Sequence, residues 1–301
     1  MMTFEQSRFP GGPHAHLACL CAPESFISFE KAALVVAHPG HELRVFGWLS
    51  QYKPRVYVIT DGSGRSGISR APSSTALLQW VGASTGEVFG AISDVGIYRA
   101  ILEADFSSFL NLADNLAASF VQHGIEFVAA DAEEGYNPSH DLCRTLVNAA
   151  VSMAERATGK PIANYEFCLT EWDQDIAATH DGDCLHLRLD DNLLLQKVNT
   201  AKNYVELKKE VEAGIAKCGA EYFRIECLKK ISNPVLPCQA SGKPFYETWG
   251  EQRVGSGEYE SVIRYKEHIL PLATAIANHA AHANVNAFDA ALKPAKRVAF
   301  F

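Results

Sequence analysis

The run Ala33-Leu-Val-Val-Ala37, which stops at His38-Pro-Gly-His41, limits the fold more than any other stretch. Five consecutive small or branched apolar residues suit a strand buried on both faces, as in the middle of a parallel sheet. His38 then sits at the carboxyl end of that strand, and in open α/β sheets the ligand crevice lies outside the carboxyl ends. Pro39 suits the first turn of a following helix, which places His38 before that turn and His41 within it. Two imidazoles three residues apart at such a corner can share one metal ion.

Strand and helix patterns alternate downstream. Residues 43–51 read as a short helix and 55–60 as a second strand of β-branched and aromatic type. Residues 84–98 carry no decisive pattern. Residues 99–123 read as one helix, with Leu102, Phe106, Phe109, Leu110, Ala113, Leu116 and Phe120 on a single stripe and Gly124 as its stop. A third strand over 125–130 runs into 131–140, the most polar loop of the chain, followed by a helix over 141–157. Residues 161–167 and 185–189 suit further strands, and 192–217 and 221–231 suit helices rich in Lys and Glu. A last helix over 258–282 is interrupted by Pro271. This alternation predicts an α/β fold: a Rossmann-like, doubly wound, mostly parallel sheet with a helical C-terminal extension. The expected organisation is an N-terminal arm over 1–30, an α/β domain over 31–235, and an extension over 236–301 packed on the same domain. Within the extension, the aromatic and charged residues of 245–254 can rim a pocket or form the contact of a homo-oligomer.

A formal charge of −8 argues against nucleic-acid and anionic-membrane partners, which reward basic surfaces. There is no apolar run near the ~20 residues of a membrane helix. Residues 1–23 lack the charged and apolar segments of a signal peptide, so a cytoplasmic protein is expected. Gly62-x-Gly64-x-x-Gly67 formally matches a dinucleotide fingerprint. That fingerprint opens a helix, whereas residues 68–75 run through Pro72 and several serines, which favours a surface loop. Cysteines at 19, 21, 143, 168, 184, 218, 227 and 238 show neither zinc-ribbon nor disulfide spacing, and are expected to be reduced and mostly buried.

Ala37-His-Pro-Gly-His-Glu42 resembles the Ala-His-Pro-Asp-Asp-Glu motif of the LmbE/PIG-L family of zinc-dependent N-acetylglucosaminyl deacetylases. Asn137-Pro-Ser-His140 is similar to that family's second motif, His-Pro-Asp-His. The resemblance implies metal ligation by His38, by His41 in place of an aspartate, and by His140. Three neutral imidazoles suit zinc and admit other divalent transition metals. In the family the general base is the residue after the proline, here Gly40, which cannot take a proton. Glu134 and Asp131 are the first candidates to replace it, with Glu133, Asp61 and Glu42 in the same crevice. Asn137 and Ser139 stand where the family has histidine and aspartate. Asn137 can still donate to an oxyanion, and Tyr136 can donate a proton late in the reaction. Asp61 resembles the turn after the family's second strand, and Asp190 and Lys197 its late strand and lysine-bearing helix. The function implied is deacylation of an N-acetyl amino sugar or sugar conjugate, a small-molecule substrate. The alternatives are a non-hydrolytic protein that binds metal and ligand, and a three-histidine redox enzyme.

Overall fold

In a computed structural model of the chain, the described residues are 31–170, 184–231 and 242–284, with the backbone of 18–19. Apart from that short piece, the arm expected over 1–30 lies outside them. Among the described residues, eight strands form one sheet: β1 (Ala18–Cys19), β2 (Ala32–Val36), β3 (Arg55–Thr60), β4 (Ser84–Ile92), β5 (Phe127–Asp131), β6 (Ala163–Phe167), β7 (Cys184–Arg188) and β8 (Ile225–Lys230). Their order is β1-β7-β8-β6-β5-β2-β3-β4. The run from β6 to β4 is parallel, and β8, β7 and β1 extend it with antiparallel pairings.

The helices are α1 (Phe46–Tyr52), α2 (Ala71–Val81), α3 (Asp94–Leu102), α4 (Phe106–Gln122), α5 (Pro138–Thr158), α6 (Asp191–Asn203), α7 (Lys208–Cys218), α8 (Phe245–Gly255) and α9 (Leu270–His282). The strand at the centre explains why they lie on both sides. Along β2 the side chains alternate: Ala33, Val35 and Ala37 join the core lined by α3, α4, α5 and α9, while Ala32, Leu34 and Val36 join the core lined by α1, α2 and α6. Two apolar faces need two helical layers. The doubly wound α/β expectation is therefore met, with a wider antiparallel margin than the sequence suggested.

Four local differences have physical causes. The helix expected over 99–123 is broken: α3 stops at Leu102, Ala104 takes a left-handed φ of 51°, and Asp105 caps α4 by accepting from Ser108 N. Leu102 and Phe106 consequently leave the stripe and are more than a third exposed. Residues 84–98, without a pattern in sequence, supply β4 and the start of α3. A helix does open after the glycine-rich loop, at Ala71, with Pro72 in its first turn where a missing N–H costs nothing. The helix expected over 258–282 begins only at Tyr265, as a π-helical turn over Tyr265–Ile269 that passes directly into α9, with Pro271 in the first turn of the α-helical part.

The fourth difference concerns residues 221–231, expected as helix, where Ile225–Lys230 forms β8 between β7 and β6. Tertiary partners override its Lys and Glu content. Leu228 enters the core, and fully buried Glu226 accepts from Lys197 Nζ at 2.7 Å, Gly47 N at 2.8 Å and Trp48 N at 2.9 Å. One carboxylate thus neutralises a buried lysine and satisfies two amides at the start of α1. Lys197 also donates to Arg44 O, while Asp190 caps α6 through Leu193 N.

From β2 the chain moves outward through β3 to β4, then returns to place β5 on the opposite side of β2. That reversal opens a crevice beyond the carboxyl ends of β2 and β5.

Candidate functional site

The reversal point brings His38, His41 and His140 together. His38 follows β2, His41 opens the short turn His41–Val45, and His140 lies in the first turn of α5, after β5. Their ring centroids are 5.2 Å apart for His38 and His41, 5.2 Å for His38 and His140, and 4.7 Å for His41 and His140.

Two of the rings are clamped from behind. His38 Nδ1 lies 2.6 Å from Thr60 Oγ1 and 3.0 Å from Asp94 Oδ1. His41 Nδ1 lies 2.7 Å from Asp131 Oδ2, an oxygen that also accepts from Ala37 N at 2.8 Å. A carboxylate on Nδ1 sets the tautomer and leaves the Nε2 lone pair as the ligand atom, the usual outer-shell arrangement of a metal-binding histidine. Burial alone would raise the Asp94 carboxyl, but the hydrogen bond and charge of His38, with Thr60 and Gly64 N, hold it well below the ordinary range. Burial lowers His38, outweighing its bond to Asp94. His140 is held well below its ordinary value by burial and by the two neighbouring imidazoles. It is therefore neutral, and a potential ligand, at pH 7.

Two buried atoms beside the rings, His140 Nδ1 and Asp131 Oδ1, have no hydrogen-bond partner. Such orphans are uncommon and call for a partner. The donor chemistry fits a divalent transition metal. The rings are gathered edge to face, however, and among the described residues the three donor atoms that all lie within 4.8 Å of one another belong to Cys184, His186 and Cys227. Sharing one ion requires the three imidazoles to turn.

The other residues singled out in sequence have definite places. Asp131 is fully buried beneath His41 and orients it. Glu134 accepts from Leu169 N at 2.9 Å, Thr170 N at 3.0 Å and Thr170 Oγ1 at 2.6 Å, tying one loop to another. Asp61 accepts from Ser63 N and Asp94 N. Glu42, fully buried, accepts from Gly40 N and Ser74 Oγ, and burial pushes its carboxyl up. Asn137 caps α5: its Oδ1 receives Ser139 N, Ser139 Oγ and Tyr98 OH, which leaves Nδ2 to donate. Tyr136 is 47% exposed, with its ring 6.4 Å from that of His140. It stacks on Phe245 at 5.1 Å, which stacks on Trp249 at 6.1 Å, and the Arg253 guanidinium covers Trp249 at 4.0 Å. Residues 245–254 thus rim the crevice with an exposed aromatic ledge.

Gly40 takes a conformation that other residues rarely adopt. Its φ is +107°, and a Cβ there would lie 2.2 Å from Leu207 Cδ1. A side chain there would require the Leu207 methyl to swing aside.

Sequence reasoning missed Asp94 and Thr60, and named Ser139 only at the place of the family's aspartate, without its contact to His38. Ser93, whose side chain accepts from Gly96 N, is an N-cap signal that could have placed Asp94 at a helix start. Ser139 Oγ lies 3.0 Å from His38 Nε2, so Asp94, His38 and Ser139 line up as in a nucleophilic triad. Ser139 is nevertheless fully buried, and its hydroxyl donates to Asn137 Oδ1 at 2.6 Å. With its one proton given to Asn137 it lies against His38 Nε2 without donating to it, and it has no access to a substrate.

No family model and no curated protein matches the chain. A crystal structure of the zinc-inhibited form of teicoplanin deacetylase Orf2 is similar in part, at 13% identity and a TM-score of 0.43, covering 67% of this chain and 99% of that one. Similarity at that level transfers neither ligands nor chemistry. Among the described residues, no helix is long and apolar enough to cross a membrane.

Proposed function

We propose that the chain is a metal-dependent amide hydrolase that removes an acyl group from an N-acylated amino sugar or sugar conjugate. The observation that carries this reading is the meeting of three imidazoles at the sheet's reversal point, two of them clamped by buried carboxylates. Zinc, or another divalent transition metal, held by His38, His41 and His140 would supply Lewis acidity and an acidified water. Asp94 and Asp131 engage Nδ1 of His38 and His41 and so leave Nε2 of each ring as the ligand atom, while the rings can still turn about those bonds. Asn137 Nδ2 donates to the developing oxyanion. Glu134, on the loop between β5 and α5, accepts the proton after releasing Thr170. Tyr136, at the rim, can return one to the leaving amine. The ledge of Tyr136, Phe245 and Trp249 offers flat apolar faces to a sugar ring, whose C–H surface stacks on aromatics.

Gly40 favours a second reading, a non-hydrolytic protein that keeps metal and ligand. The position of the family's base is filled by Leu207, and Asp131, Glu134, Asp61 and Glu42 all have hydrogen-bond partners. One assay separates the two. Metal-reconstituted protein is incubated with N-acetylglucosamine conjugates and acetate is measured, for wild type, His140→Ala and Glu134→Gln. Hydrolysis predicts acetate release that His140→Ala and Glu134→Gln abolish, with metal retained in the latter. Binding of the conjugates without acetate under any metal sinks the hydrolase reading. Full activity of Glu134→Gln would remove that residue as the base.

A further inference from the structure

A second group of metal-binding side chains lies on the antiparallel margin of the sheet. β7 and β8 pair with His186 opposite Cys227 and Cys184 opposite Lys229. Alternate strand residues share a face, so Cys184, His186 and Cys227 project from the same side, opposite the core that receives Leu187 and Leu228. One donor atom from each lies within 4.8 Å of the other two. Cys184 is buried, and His186 and Cys227 are half-buried.

We propose that Cys184, His186 and Cys227 form a zinc site, separate from the histidine cluster, that fastens β7 to β8, with Cys168 as its fourth ligand. A disulfide suits the pair poorly. Cys184 and Cys227 are diagonal neighbours across an antiparallel ladder, with Cα atoms typically about 7–8 Å apart, beyond the usual reach of an S–S bridge. A tetrahedral ion needs no such approach. Bonds of about 2.0–2.3 Å set its ligand atoms roughly 3.3–3.8 Å apart, within a small side-chain adjustment of the spacing present. Two thiolates and an imidazole select zinc over magnesium, calcium or manganese.

Cys168 follows from register. β6 pairs antiparallel with β8, with Glu166 opposite Lys229. Continuing that register two residues past the last ladder pair would bring Cys168 opposite Cys227, and its thiol, outside the present 4.8 Å set, would have to swing in to the ion. Cys168 is exposed, directly after the last residue of β6, and its backbone carbonyl accepts from Arg44 Nε. A set of three cysteines and one histidine makes a closed, structural site that joins β6, β8 and β7.

The test titrates the reduced, full-length protein with cobalt(II). A thiolate site gives sulfur-to-cobalt charge transfer in the near ultraviolet and strong visible bands of a tetrahedral ion, whereas the histidine cluster, lacking sulfur, gives no such charge transfer. The expected result is a thiolate band at one equivalent that persists in His140→Ala and disappears in Cys227→Ser. On the wild type itself, zinc should protect Cys184 and Cys227 from alkylation while exposed Cys218 reacts as before. Absence of the band from reduced wild type, its survival in a Cys184→Ser/Cys227→Ser double variant, or zinc failing to protect the two thiols would overturn the site. Zinc affinity unchanged in Cys168→Ser would overturn the fourth ligand. Because the band depends on sulfur alone, it reads this site whether or not the histidine cluster binds metal.

Discussion

The histidine cluster and the cysteine cluster assemble donors by opposite means. His38, His41 and His140 come from the end of a strand, a short turn and the start of a helix, and Asp94 and Asp131 hold two of the rings through side-chain hydrogen bonds. Cys184, His186 and Cys227 sit on adjacent strands whose backbone ladder sets their spacing. The first arrangement is adjustable, since rings can turn as a ligand or substrate arrives. The second is fixed by the sheet. Side-chain support suits an open reactive site, and backbone support suits a closed structural one.

The largest expected effect probes the sheet margin. Glu226→Ala strips Lys197 of its partner and two amides of their acceptor, and should cost about 3–5 kcal/mol in urea unfolding. If the ladder alone spaces the cysteine donors, the cobalt–thiolate band survives at low denaturant. Its loss would show that the margin needs Glu226 as well. Gly40→Ala should destabilise by about 2–4 kcal/mol through overpacking and left-handed strain. Leu207→Ala in the same background should restore the packing share and leave the strain.

Asp131→Asn frees the His41 ring and should weaken metal at the histidine cluster by about 10–100-fold in chelator competition. The cysteine site should not change, and a parallel loss there would break the comparison. The smallest effect is a pH dependence beside the histidines. Burial pushes Asp141 up to about 7 despite bonds from Gly135 N and Glu134 N. Raised above its unfolded value, this carboxyl contributes stability that declines as pH climbs from about 4 to about 7. His140, lowered by burial, works the other way, losing stability as pH falls below about 6.5. The two offset each other in the wild type. Asp141→Asn keeps the acceptor and removes one limb, so its urea midpoint should rise from pH 5 to pH 8 more steeply than the wild type's.

The sequence was most legible where local chemistry decides structure. The run from Ala33 to Ala37 reads as a central strand because nothing but burial on both faces explains it. The residues at its end and at the start of α5 then fall into one crevice by topology. What could not be read depends on pairing between distant segments. Cys184 and Cys227 show no motif spacing, since their closeness exists only in the register of β7 on β8. β8 itself looks helical until Lys197 and the amides of Gly47 and Trp48 claim Glu226. The break before α4 was readable in principle: Asp105, Ser107 and Ser108 form a capping group that apolar periodicity overshadowed.

The contact between Gly40 and Leu207 also bears on redesign of the crevice. An aspartate arriving at position 40 would meet both a filled space and a backbone that only glycine adopts with ease. Position 207 would have to shrink first, and the turn would have to refold. Placing an acid at this corner is therefore a two-part redesign, in which cutting back Leu207 relieves the contact and leaves the backbone strain at position 40.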